Sequence, residues 1–169
     1  MNRKWTLAVG LVLFLSVAAQ AMAQAQQVTM PDAEKIVLLV RNSLITLNDA
    51  LQTGNYTVLR DMSAPGFREA NSAARLSQIF SDLAAKNVNL SAVAVIAPQL
   101  AQKPALDQEK GMLHLKGYFA GKPVQINFEL LYQAVNGQWR LFGISVQPGT
   151  AQTTPRAEAS GPTSVKKKN

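Results

Sequence analysis

Near residue 90 the apolar residues change their spacing, from the step of a helix to the step of a strand. Before that point they recur every three to four positions; after it they alternate. A chain that places its helices first and its strands afterwards has few ways to fold. It builds an antiparallel sheet and lays the helices on one face of it, an α+β arrangement. The stripe Ile36, Val40, Leu44, Leu47, Leu51 predicts a long first helix with one buried face. Pro31, Asp32 and Glu34 mark its start, and Gly54 predicts a left-handed stop. Asn55 to Met62 reads as a second, short helix, and Ser63-Ala64-Pro65-Gly66 as a break. Asn71 or Ser72 caps a third helix with the stripe Leu76, Ile79, Phe80, Leu83, which ends at Asn87 to Asn89. Four strands are expected next: Ser91–Leu100, about Gly111–Phe119, Lys122–Ala134 and Gln138–Val146, with Gln102–Lys110 as a loop.

Two turns suggest a register. A two-residue turn at Ala120-Gly121 sets Leu115 opposite Ile126 and Leu113 opposite Phe128. Asn136-Gly137 is the strongest short hairpin signal, and sets Tyr132 opposite Leu141 and Phe128 opposite Ser145. On this reading Phe128, Tyr132 and Ser145 face the helices. Leu131, Phe142, Ile144 and Val146 gather on the other face, rimmed by His114, Gln125, Asn127, Gln133 and Arg140. An apolar patch with a polar rim is the anatomy of an interface, so these four are the candidate contacts of a homodimer through the outer sheet face.

The first residues have the three parts of an export signal. Asn2-Arg3-Lys4 is basic, Leu7 to Ala18 is apolar, and Ala21-Met22-Ala23 fits signal peptidase, with Ala19-Gln20-Ala21 as a second option. The apolar run is too short to span a bilayer, which needs about 20 residues. The expected divisions are a signal peptide over 1–23, a domain over 24–147 and a disordered basic tail over 148–169. The expected location is periplasmic or secreted, without a transmembrane anchor. The chain has no cysteine, which excludes a disulfide framework, thiolate metal ligands and lipid attachment at the cut. The formal charge of +7 overstates the domain, because residues 24–147 carry eleven Lys/Arg against nine Asp/Glu. A near-neutral domain lacks the basic stripe that nucleic acid requires.

The helix-then-sheet order, the LQTGNYTVLRDM element with its Gly-Asn-aromatic turn, and the closing FELLYQAVNGQWRLFGISV hairpin resemble the nuclear transport factor 2-like superfamily, including its exported bacterial members. The resemblance covers roughly residues 33–147. It implies a cone-shaped fold with a pocket between sheet and helices, and often a dimer through the sheet's outer face. The superfamily includes ketosteroid isomerase, polyketide cyclases and proteins without known chemistry, so the fold does not choose a function.

The isomerase pattern needs a carboxylate base and hydrogen-bond donors to an oxyanion. In the expected register Tyr132 faces the pocket, but Glu129 faces away. His114 is the single histidine and reads as a surface or interface residue rather than a metal ligand or base. No catalytic residue, metal or cofactor is assigned. Tyr56, Phe128, Tyr132 and Ser145 are the candidate pocket residues, with Phe67 and Trp139 as further aromatics. The expectation is a non-enzymatic module that binds a small apolar ligand or another protein in the cell envelope. The alternative is an isomerase or cyclase using a carboxylate that reaches the pocket.

Overall fold

A computed structural model describes residues 28–121 and 124–149. The expected signal peptide and nearly all of the expected tail lie outside the described residues.

Helix α1 spans Ala33–Thr53. Asp32 caps it, its carboxylate accepting from the Lys35 amide at 2.7 Å, which satisfies one of the amides a helix start leaves unpaired. Gly54 closes it with φ 71°, the left-handed region open to glycine. Val40, Leu44 and Leu47 are fully buried along the inner stripe. Four short helices follow: α2 (Thr57–Asp61), α3 (Pro65–Ala70), α4 (Ala73–Ile79) and α5 (Ser81–Ala85). The expected break at Ser63–Gly66 is instead the start of α3, because Pro65 occupies the first helical position, where its missing amide costs nothing. Ser72 caps α4, accepting from the Arg75 amide at 3.1 Å. Ile79, expected in the buried stripe, is exposed.

The segment expected as a first strand differs most. Ser91–Ala94 forms a 3₁₀ helix, and only Gln99–Leu100 is extended, as β1. Asn89 accepts from the Ser91 amide at 2.8 Å and Asn48, on α1, accepts from the Leu90 amide at 2.8 Å. These side-chain bonds compete with a sheet ladder for the same backbone. The expected loop holds a short strand, β2 (Ala105–Asp107). Strands β3 (Met112–Phe119), β4 (Gln125–Val135) and β5 (Gln138–Gly149) form the body of the sheet. All pairings are antiparallel, in the order β1-β3-β4-β5, with β2 also on β3. The fold is therefore α+β, helices followed by an open antiparallel sheet of five strands rather than about four.

Two register corrections follow. Leu115 pairs with Leu130 and Leu113 with Tyr132, four residues from the expected partners on β4. An even shift keeps every side chain on its expected face. The β4–β5 hairpin begins as expected, with Tyr132 opposite Leu141. Beyond it Leu131 pairs with Gly143, so Phe142 is an extra residue, a β-bulge. The bulge reverses the parity of the rest of β5. Val146 turns inward opposite Phe128 and is 6% exposed; Ile144 turns inward opposite Leu130. Ser145 turns outward opposite Glu129. Phe142 lies over Gly66 of α3, where an added Cβ would sit 3.1 Å from its ring. Leu131, Phe142, Ile144 and Val146 thus do not form one outer patch, and the dimer surface expected from them is not built.

Candidate functional site

The space expected for a pocket between α1 and the sheet is packed. Tyr132 is 1% exposed, and burial pushes its phenol pKa up, because an apolar site disfavours the phenolate. Its hydroxyl donates to the Leu39 carbonyl at 2.8 Å. That leaves Ser43, at 2.9 Å, to donate to the phenol oxygen. The single phenolic proton is therefore committed to the protein. The buried polar side chains among the described residues are Ser43, Ser63 and Gln125, so no buried carboxylate stands beside Tyr132. A cleft of about 110 Å³ touches Tyr132, Ser43, Trp139 and Arg140, room for a few waters.

The other expected pocket residues are also engaged. Tyr56 is buried and stacks on Phe80, centroids 6.1 Å apart and 2° from parallel; burial raises its pKa too. Phe128 is buried and tilts at 51° against Phe119, centroids 5.6 Å apart. Ser145 stands on the opposite face of the sheet. There it lines a polar groove of about 290 Å³ with Lys116, Tyr118, Asn127, Glu129 and Gln147. In the same region Glu129 accepts from His114 at 2.8 Å and pairs with Lys116 at 3.5 Å. His114 is thus half-buried on the outer face with an acidic partner. Across the strands His114 lies opposite Leu131, and Glu129, opposite Lys116, is its diagonal neighbour on the same face.

The most apolar concavity lies at one end of the sheet. It is a recess of about 450 Å³, open to solvent on one side and lined by the 3₁₀ segment, the ends of β3 and β4, and Pro148 of β5. Leu90, Val93, Ile96, Phe119, Val124 and Ile126 form its walls. Lys86 and Asn89 stand at it, and among the described residues no Asp or Glu lines it. Its size and lining are those of a small-molecule site. Asn48 shapes the wall by holding the Leu90 amide, and Arg41 of α1 anchors the other end of the segment by donating to the Ile96 carbonyl at 3.2 Å.

None of the four expected pocket residues lines this recess. Its walls were missed because Ser91–Leu100 reads as an alternating strand. The one sequence signal available was the density of apolar residues in Leu90–Ile96, flanked by Asn-type capping residues.

No protein-family model, curated protein or solved structure gives a significant match to the chain. Among the described residues no helix is long and apolar enough to cross a membrane, and no cluster of His, Asp and Glu could hold a metal ion.

Proposed function

We propose that the chain is an exported, non-enzymatic binding module of the nuclear transport factor 2-like type, and that its ligand is a small apolar molecule held at the end of the sheet. The recess of about 450 Å³, walled by apolar side chains and with no carboxylate among its described lining residues, carries this reading. The packed region around Tyr132 supports it from the other side. An isomerase-type site needs a base beside its hydrogen-bond donor, and Tyr132 has Ser43 and a backbone carbonyl there instead. The basic and apolar segments before Gln24 support export.

Native mass spectrometry of protein purified from its own host tests the reading. It should reveal a retained small molecule that organic solvent releases. Ala92→Trp, at an exposed position on the recess, should fill the site and abolish retention while leaving the circular-dichroism spectrum unchanged. Failure to retain or rebind any apolar molecule would remove the binding reading.

A further inference from the structure

We infer that the recess takes a single-chain carboxylate amphiphile, its alkyl chain against Ile96, Val124 and Ile126 and its carboxylate at Lys86 and Asn89. This rests on the proposed site and adds the chemistry of its ligand.

The polar groups at the recess are donors. An ammonium has three protons and no acceptor. The Asn89 side-chain carbonyl accepts from the Ser91 amide at 2.8 Å, which turns its NH₂ into the group left for a ligand. Lys86 forms no ion pair among the described residues. The nearest acid along its helix, Asp82, lines a neighbouring groove with Lys86 but not the recess. A ligand head that accepts hydrogen bonds and carries negative charge complements this rim; an alkylammonium opposes it. The walls are aliphatic apart from the Phe119 ring, which suits a flexible alkyl chain. A volume of about 450 Å³ corresponds to roughly fifteen water-sized groups, or a chain of about ten carbons with its head.

The test compares dodecanoate, dodecanol and dodecyltrimethylammonium, each below its micelle concentration, by isothermal titration into the full processed chain freed of bound lipid. Dodecanoate should bind most tightly, with an advantage over dodecanol of roughly two- to fivefold at low salt, since Lys86 is exposed. Salt should erode that advantage. Lys86→Met should abolish it, with the circular-dichroism spectrum as the folding control. If dodecanol or the ammonium compound binds as well as dodecanoate, the carboxylate inference is wrong and the apolar site stands. If none of the three binds, the site itself is wrong. A parallel arm pellets the protein with phosphatidylglycerol vesicles. Lys86-dependent pelleting without binding of free dodecanoate would overturn the inference in favour of a membrane surface.

Discussion

Tyr132→Phe removes one oxygen from a site that is 1% exposed, and its cost can be worked from the two bonds that oxygen makes. The Leu39 carbonyl loses a donor at 2.8 Å, and the Ser43 hydroxyl loses an acceptor at 2.9 Å. A net hydrogen bond is worth about 0.5–1.5 kcal/mol, and a stranded buried partner adds to that. Two facts limit the loss. Leu39 lies inside α1, so its carbonyl also serves the helix ladder. Ser43 sits one turn further on and can rotate back to that carbonyl. The expected destabilisation is therefore about 1–2 kcal/mol. Ser43→Ala should cost about 0.5–1.5 kcal/mol. The double variant should cost less than the sum, with a coupling of about 0.5–1 kcal/mol, as for groups in direct contact. Urea denaturation of the three variants measures these values; with slopes of about 1–3 kcal/mol/M the single variants should shift the midpoint by roughly 0.2–2 M. Unchanged stability in Tyr132→Phe would show that neither bond holds the phenol. The phenolic proton would then be free for a ligand or a reaction, and the isomerase alternative would regain its donor.

Alkaline titration gives a second reading of the same residue. The folded protein keeps the Tyr132 proton at pH values where the unfolded chain, with a reference pKa of 10.0, loses it. Stability is thus at its full value below pH 10 and falls as pH rises above it, by up to about 1.4 kcal/mol per pH unit for each such tyrosine. Tyr132→Phe should flatten that decline, leaving the smaller part due to Tyr56; identical slopes in the two proteins would contradict it. Gly117→Ala should destabilise by about 1–3 kcal/mol or more, because the added Cβ would overlap the Gln99 carbonyl oxygen of β1 and crowd the Phe128 ring; a neutral result in thermal melting would show that β1 lies further from β3. Asn48→Ala strips the Leu90 amide of its acceptor and should lower stability by about 1–2 kcal/mol while weakening dodecanoate binding; unchanged binding would separate the recess from this contact.

Periodicity made the order of elements legible, since α1 buries its stripe and β3 and β4 alternate as they should. Inward and outward faces were legible only where nothing broke the parity. The Ala120-Gly121 turn was placed too tightly, yet the four-residue shift that resulted left the faces of β3 and β4 intact. One bulged residue at Phe142 did the opposite: it turned Ile144 and Val146 inward and Ser145 outward, and so removed both a candidate interface and a candidate pocket residue. Gly143 beside the bulge gave a hint that alternation alone could not weigh. The recess was hidden for a different reason. Leu90–Ile96 carries β-branched residues at alternating positions, but Asn48 and Asn89 take its backbone amides, and that decision belongs to tertiary contact with α1.

Methyl-resolved NMR of the isoleucine, leucine and valine side chains during titration with dodecanoate shows where the ligand sits. Binding in the recess gives saturable shifts at Ile96, Val124 and Ile126, with the methyls of Leu44, Leu47 and Leu141 unmoved. Shifts centred on Leu39 and Leu141, around Tyr132, would place the ligand between α1 and the sheet and contradict it.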